Sequence, residues 1–226
     1  MPSIKRENFV LYIIIAVFAL IYSSISLVNH YLFRTYALDL GLYNNAIYYY
    51  SKLKFVNNGI LDLEYSNLLS AHFELYPFFI SPLRWIFGSY TLLIFQIASI
   101  LFGGYGAYKY IFFKSGSKKL SIIAMIHFFS IWGIFSALGF DYHNNVIAAM
   151  LVPWFFLAFD KRNFRTSGFI FILILFGKEN MALWGSFIAL GLMLLNLKDK
   201  IKLRLPKQSI FFSIKYVSLL MSYILY

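Results

Sequence analysis

The chain has 226 residues, of which 61% are hydrophobic, 21% aromatic and 13% charged. Soluble domains carry about 25% charged residues, so this composition argues against a water-soluble enzyme, a disordered tail and a fibrous protein. The absence of cysteine excludes disulfides, thiolate metal sites and a cysteine nucleophile. Several apolar runs approach the roughly 20 residues of one helical bilayer crossing, and they predict an all-α polytopic membrane protein.

The first apolar run extends from Phe9 to Val28 and predicts the first membrane helix. It follows Lys5 and Arg6, a layout that signal peptides share. The apolar run is too long for a signal peptide, and no cleavage site with small residues follows it. We therefore expect this helix to be retained.

Residues 29–88 are more polar, and they predict an external loop with two interfacial helices. The segment Leu38–Phe55 alternates apolar and polar residues and is rich in tyrosine, which favours one wet and one apolar end. The segment Phe73–Phe87 is broken by Pro77 and Pro82 and is too short for an easy crossing.

The remaining chain predicts further membrane helices, about seven in a single transmembrane domain over residues 1–226. Gly103-Gly104-Tyr105-Gly106 is not a phosphate loop and predicts close packing of its helix on a neighbour. The predicted apolar segments are Ser89–Phe113, Leu120–Leu138, Asn145–Phe159, Thr166–Gly177, Asn180–Leu197 and a run that begins near Ile210.

One of these segments is too short to cross. Thr166–Gly177 would extend about 18 Å at 1.5 Å per residue, against a hydrocarbon core of about 30 Å. The segment either continues to Leu197 as one long helix or turns back at Lys178–Glu179. We favour the turn, because the long helix would place the next basic loop on the wrong side of the membrane.

The basic residues predict the orientation. With the N-terminus inside and alternating crossings, 15 of the 20 lysines and arginines lie inside and 5 outside. Such an excess marks the cytoplasmic side, so we predict a multi-pass plasma membrane protein with a cytoplasmic N-terminus. Because topology accounts for the net charge of +11, we expect the lipid bilayer and no nucleic acid as a partner.

Four polar clusters lie on the predicted external side, each next to the end of an apolar segment. Ionisable side chains at this depth are costly and usually face a cavity or one another. The clusters are Asp39, His72-Phe73-Glu74, Asp141-Tyr142-His143-Asn144-Asn145 and Lys178-Glu179.

Each cluster has a structural and a functional interpretation. Asp39 is a candidate helix cap, as is either Asp141 or Asn144, and Lys178 and Glu179 can neutralise each other. Burying two charges for structure alone is expensive, so we favour a function for that pair. The nitrogen and oxygen ligands that suit a divalent metal are supplied by His72, Glu74, Asp141 and His143.

Five motifs occur in an order that resembles the bacterial and archaeal predicted membrane protein family called domain of unknown function 2079. That family is similar to the polytopic glycosyltransferases of the C-type fold, which take a sugar from a polyprenyl phosphate on the outer face. The motifs are Asp-Leu-Gly-Leu-Tyr-Asn-Asn-Ala at Asp39–Ala46, Ala-His-Phe-Glu-Leu-Tyr-Pro at Ala71–Pro77, Ser-Tyr-Thr-Leu-Leu-Ile-Phe-Gln at Ser89–Gln96, Phe-Asp-Tyr-His-Asn at Phe140–Asn144 and Gly-Lys-Glu-Asn at Gly177–Asn180.

The resemblance implies roles for single residues. C-type enzymes place an acidic residue after the first membrane helix, and Asp39 has that place here, as a general base. Many of them have a second acid in the same loop, for which Glu74 or Asp141 is the candidate. A cation must neutralise the leaving lipid phosphate. Lys178 or Arg84 would supply it, or a divalent metal on the four ligands named above.

The resemblance also implies that the chain is the N-terminal part of a longer C-type domain, because members of the family are longer. Two other functions remain open from the residues alone. One is a non-catalytic membrane scaffold subunit, and the other is a small-solute transporter, since paired short helices and intramembrane charges also mark transporters.

Overall fold

The structure is a computed structural model, and it describes residues 2–55 and 68–201. Within these residues the chain is helical and contains no strand, which confirms the predicted helical class. The helices are α1 (Pro2–Tyr31), α2 (Ala37–Tyr50), α3 (Leu68–Ala71), α4 (Tyr76–Ile80), α5 (Arg84–Phe87), α6 (Thr91–Ser115), α7 (Lys118–Phe129), α8 (Trp132–Gly139), α9 (Asn144–Met150), α10 (Val152–Asp160), α11 (Phe164–Leu175) and α12 (Met181–Ile201).

Three described helical segments are long and apolar enough to cross a membrane: Phe9–Tyr31, Tyr76–Ser115 and Lys118–Gly139. Shorter apolar segments follow at Asn144–Asp160, Phe164–Leu175 and Met181–Leu195. The number of crossings, about seven, stays a prediction, and the predicted last run from Ile210 lies outside the described residues.

Helix α6 is the central element, and it packs against α1, α7, α9 and α10. Its glycines let neighbours approach closely, since a Cβ atom at Gly104 would lie 2.0 Å from Cε1 of Phe129. A Cβ at Gly103 would lie 2.8 Å from Sδ of Met150. The glycine cluster therefore serves close helix packing, as predicted, and it brings α7 and α9 against α6.

Both predicted interfacial segments are helical, and proline shapes the second. α2 occupies most of Leu38–Phe55. The second segment is divided into α4, a 3-10 turn and α5, with Pro77 and Pro82 at the starts of the first two pieces. A 3-10 turn at Gly88–Tyr90 then leads into α6, and Gly88 has φ 58°. This positive φ suits glycine, which has no Cβ to clash.

The segment after α10 is a helical hairpin. α11 and α12 are separate helices that pack on each other, and a Cβ at Gly185 of α12 would lie 2.9 Å from the Phe171 ring of α11. The turn between them contains Lys178 and Glu179. The turn that the charge pattern favoured is confirmed, and the single long helix is wrong.

The bundle has two chemically different ends. One end carries the exposed pair of Lys114 and Asp160, with Nζ 2.7 Å from Oδ2. The opposite end, here called the polar end, is where α1 ends, α6 begins and the α11–α12 turn lies. It carries Asp39, His72, Glu74, Asp141–Asn144, Lys178 and Glu179. All four predicted polar clusters thus meet at one end of the bundle.

The glycine contact in α6 gives a test of this packing. Gly104→Ala should lower the free energy of unfolding by about 1–3 kcal/mol, because the added methyl overpacks the α6–α7 contact. Gly191→Ala in α12 is the control, since a Cβ there meets nothing within 4 Å. Unfolding in detergent, followed by circular dichroism, measures both variants. Equal stability of the Gly104 and Gly191 variants would contradict the close approach.

Candidate functional site

The centre of the polar end is the buried carboxylate of Glu74, whose residue is 1% exposed. Its Oε2 accepts hydrogen bonds from the Tyr43 hydroxyl at 2.6 Å and from Nδ2 of Asn144 at 2.7 Å. The Tyr142 hydroxyl in turn donates to Oδ1 of Asn144 at 2.6 Å. Glu74 therefore joins the segment before α4 to α2 and α9.

The second oxygen of Glu74 faces a cation. Nζ of Lys178 lies 3.2 Å from Oε1, and the Lys178 side chain is 29% exposed. A buried carboxylate is stable as an ion only when partners offset its lost hydration. Lys178 supplies the opposite charge, and Tyr43 and Asn144 supply the remaining hydrogen bonds, so the ammonium is fixed in place at the edge of the cluster.

Glu179 forms a second, more exposed contact beside the first. Its Oε1 lies 2.8 Å from Nδ1 of His72, and its Oε2 accepts from the backbone N–H of Phe73 at 3.2 Å. Partial burial raises the pKa of Glu179, but its own backbone N–H and the His72 contact outweigh burial and lower that pKa. Lys178 and Glu179 thus pair with other residues and not simply with each other.

Backbone contacts hold the same two segments together. The N–H of Leu75 donates to the carbonyl of Phe176 at 3.0 Å, and the Tyr76 hydroxyl donates to the carbonyl of Leu173 at 2.6 Å. The α11–α12 turn is therefore attached to the segment that carries His72 and Glu74 through both side chains and backbone.

Asp141 has a structural role at the start of α2. Its Oδ2 accepts the Tyr36 backbone N–H at 2.7 Å, directly before α2. Burial raises the pKa of Asp141, and this hydrogen bond opposes the rise. The Asp141 backbone has φ 75°, a conformation that aspartate tolerates better than most residues. Asp141 thus fixes the position of the helix that carries Asp39.

Gln96 of α6 holds the loop before α9 and was not among the predicted site residues. Its buried amide donates from Nε2 to the Asp141 carbonyl at 2.6 Å and accepts at Oε1 from the His143 N–H at 2.6 Å. The sequence did contain a signal for Gln96, since it is a single amide within an apolar helix. Such a group needs a hydrogen-bond partner once it is buried. Tyr43 and Tyr142 were missed too, since tyrosine is abundant throughout the chain.

Asp39 differs from these residues because its side chain is exposed. It lies in the first turn of α2. Its charge is near enough to Asp141, His143 and Tyr43 to raise the pKa of each. Among the described residues, no hydrogen bond or ion pair reaches its carboxylate. The residue at the cap position of α2 is Tyr36, so the interpretation of Asp39 as a cap is wrong.

The cap interpretation of the next cluster is also wrong. The residue at the cap position of α9 is His143, and no side chain caps that helix. Burial, and then the charge of Lys178, lowers the pKa of the His143 imidazole. The charge of Asp39 acts in the opposite direction, so His143 lies close enough to both Lys178 and Asp39 for their charges to affect its pKa.

Arg84 lies apart from the Glu74 cluster. Its Nη1 is 3.5 Å from Oδ1 of Asn44 and 3.5 Å from the Gly88 carbonyl, and its guanidinium lies over the Tyr48 ring at 5.3 Å. The two predicted cations thus have different partners: Lys178 contacts Glu74, whereas Arg84 contacts α2 at Asn44 and Tyr48.

The predicted metal ligands do not converge in the described part of the chain. His72 contacts Glu179, Glu74 contacts Lys178, and Asp141 accepts from Tyr36. No group of three or more histidine or acidic side chains there is placed to hold a metal ion. A divalent metal on His72, Glu74, Asp141 and His143 stays a prediction.

The apolar helical segments with a single polar end define an integral membrane protein. The family model described as "Predicted membrane protein (DUF2079)" matches residues 29–225, and the chain belongs to this family. The family that the motif order indicated is therefore confirmed. The comparisons find no match among curated proteins or solved structures.

The Glu74–Lys178 contact predicts a large energetic effect. Glu74→Gln removes the charge that faces Lys178 and should lower the free energy of unfolding by about 3 kcal/mol. The double variant Glu74→Gln/Lys178→Met should lose less than the sum of the two single losses, because the pair is coupled. Detergent unfolding of all three variants measures this.

The pair at the other end of the bundle is the matched control. Lys114 and Asp160 are 44% and 24% exposed, and an exposed ion pair contributes about 1 kcal/mol or less. Lys114→Met should therefore be nearly neutral. Additive losses at Glu74 and Lys178, or an equal loss at Lys114, would contradict the central role of Glu74.

Proposed function

We propose that the chain is a glycosyltransferase-like membrane protein that transfers a sugar from a polyprenyl phosphate to an acceptor at the polar end. The observation that carries the proposal is the state of Asp39. It is an exposed carboxylate with no hydrogen bond or ion pair among the described residues, held at the start of a helix by Asp141. The motif resemblance assigns the reacting acid to this same residue.

The reaction would be a direct displacement at the anomeric carbon. Asp39 takes the proton from an acceptor hydroxyl or amine, and the acceptor atom forms a bond to the anomeric carbon. The bond between that carbon and the phosphate oxygen breaks, and the polyprenyl phosphate leaves with the electron pair. The proton is held on Asp39 until product release.

Lys178 is the proposed cation for the leaving phosphate. Its side chain is 29% exposed and its ammonium lies 3.2 Å from the Glu74 carboxylate, so it is held in place before charge develops on the leaving group. Glu74 is fully engaged, and it acts in this proposal through Lys178 rather than on substrate. The neutral His143 beside Lys178 leaves the ammonium as the positive group there.

We also propose a plasma membrane location with the N-terminus in the cytoplasm and the polar end outside. The charge bias supports it, because Lys114, Lys118, Lys119 and Lys161 lie at the opposite end of the bundle. Lipid-linked sugars would then be used on the outer face.

A non-catalytic scaffold subunit is the second candidate. It is favoured by the hydrogen bonding at the polar end, because the side chains of Glu74, Gln96 and Asp141 all bond to other groups of the protein. A small-solute transporter receives less support, because the charged side chains that the structure describes lie at the two ends of the bundle and not at the middle of the helices, where transporters bind their substrates.

Substitution of Asp39 tests the proposed reaction. Asp39→Asn should reduce transfer by about 10²–10⁴-fold, the usual contribution of a general base. Stability should not change, because the carboxylate is exposed and has no hydrogen bond or ion pair with another described residue. The assay is the conversion of radiolabelled polyprenyl-phosphate sugars in membrane vesicles into product that organic solvent does not extract.

Asp160→Asn is the matched control, since it removes an acid at the opposite end and should leave transfer unchanged. Equal conversion by the Asp39 variant and the unmodified protein would overturn the proposed base. Absence of conversion by the unmodified protein, with solute uptake in proteoliposomes, would support the transporter. Neither activity, with normal expression and folding, would support the scaffold.

The natural absence of cysteine allows a direct test of orientation. Lys54→Cys lies after α2 at the polar end, and Lys119→Cys lies at the start of α7; both positions are exposed. A membrane-impermeant maleimide added to intact cells should label the first variant and should reach the second only after permeabilisation. The reverse pattern would place the polar end in the cytoplasm.

A further inference from the structure

Three basic residues lie near Tyr48 at the end of α2. The surface formed by Tyr48, Lys52, Lys54 and Arg84 is here called the Tyr48 patch. Nζ of Lys52 donates to the Tyr48 hydroxyl and lies over its ring. The Arg84 guanidinium lies 5.3 Å from the same ring. Two positive side chains thus lie at one aromatic ring, and Lys54 is near enough for its charge to affect the Tyr48 phenol.

Among the described residues, acids do not balance the charge of the patch. In the described ranges 2–55 and 68–201, no carboxylate forms an ion pair with Lys52, Lys54 or Arg84. The hydrogen bond from Lys52, and with it the charges of Lys52, Arg84 and Lys54, lowers the pKa of the Tyr48 phenol. Like charges held close together favour an anion that lies between them.

The patch is bordered by exposed apolar side chains. Trp85 and Ile86, which follow Arg84 in α5, are 71% and 73% exposed, and Leu53 between the two lysines is 78% exposed. The Trp85 indole donates to the Ser51 carbonyl at 3.4 Å, so the ring lies beside the end of α2. Cations next to tryptophan and aliphatic side chains are typical of the level of the lipid head groups.

This surface is distinct from the proposed donor site. Tyr48 lies nine residues after Asp39, which is about 13 Å along the axis of α2. In the donor, the phosphate oxygen is bonded directly to the anomeric carbon, which must lie beside Asp39. If the proposed function is right, a donor phosphate beside Asp39 therefore lies away from Tyr48 and Lys52, which leaves the Tyr48 patch for another anion.

We propose that the Tyr48 patch binds the head group of an anionic bilayer phospholipid. The phosphate would lie between Arg84 and Lys52, with Lys54 adding charge, and the acyl chains would lie along the apolar side chains of α5. Such binding would hold α2 and α5 at a defined depth. This site does not depend on sugar transfer, and it would exist equally in a scaffold protein.

The test uses the full chain with Ile86→Cys, labelled with a fluorophore and placed in phosphatidylcholine nanodiscs. Increasing amounts of nitroxide-labelled phosphatidylglycerol or nitroxide-labelled phosphatidylcholine quench the label. Phosphatidylglycerol should quench at lower mole fraction. The ratio of the two apparent affinities should fall about fivefold for each charge removed, as expected for basic residues near an anionic surface.

Lys52→Gln/Arg84→Gln should abolish most of the preference, and Arg84→Lys should keep it because the charge remains. Lys119→Gln, which removes an exposed lysine at the opposite end, should leave it unchanged. If the double variant loses its helical circular dichroism signal, Lys54→Gln takes its place, because no side-chain hydrogen bond or ion pair joins Lys54 to the rest of the described residues.

Three results would overturn the proposal. The first is equal quenching by both lipids in the unmodified protein, and the second is an equal loss of preference in Lys119→Gln. The third is displacement of phosphatidylglycerol by polyprenyl phosphate at much lower concentration, which would return Arg84 to the donor. Failure of sugar transfer with a normal lipid preference would count against the proposed function alone.

Discussion

The geometry of the polar end depends on one buried ion, the carboxylate of Glu74. Removing such a group from water costs several kcal/mol even after the protein relaxes. Tyr43, Asn144 and Lys178 offset that cost together, and each comes from a different part of the chain. Since a missing donor would leave charge uncompensated, α2, α9 and the α11–α12 turn cannot move independently of this carboxylate.

The other carboxylates divide into two kinds. The structure describes the side chains of five acidic residues: Asp39, Glu74, Asp141, Asp160 and Glu179. Four of them accept hydrogen bonds from protein groups. Asp39 alone in this set accepts none from the described residues. The partnered acids hold helices and turns together, and the absence of such a contact at Asp39 within the described residues is what the proposed function rests on.

Hydrophobic length, proline and charge predicted much of the helical architecture. The runs starting at Phe9 and Ser89 became helices because apolar residues in a bilayer need internal hydrogen bonds. Pro77 and Pro82 divided the second interfacial segment as their missing N–H groups require. The charge bias also predicted the turn at Lys178–Glu179, which a hydropathy pattern alone could not separate from a long helix.

The side-chain partners at the polar end could not be predicted from the sequence, for a physical reason. Lys178 and Glu179 are adjacent, so self-neutralisation was one interpretation beside the favoured functional one. Their side chains diverge because neighbours in a chain seldom face each other, and each finds a partner more than 100 residues away. Gln96 and Asp141 position α2 through contacts that no periodicity encodes.

Lys178 and Arg84 make different contacts, and the two proposals assign them different phosphates. In the proposed reaction, the ammonium held by Glu74 faces the leaving phosphate, because an anchored ammonium does not need to reorient as charge develops. Arg84 lies near lysines and exposed apolar side chains, a combination that is typical of the head-group level of a bilayer. Helix α2 contains both Asp39 and Tyr48, so a lipid bound at the proposed patch would set the depth of the proposed base in the membrane.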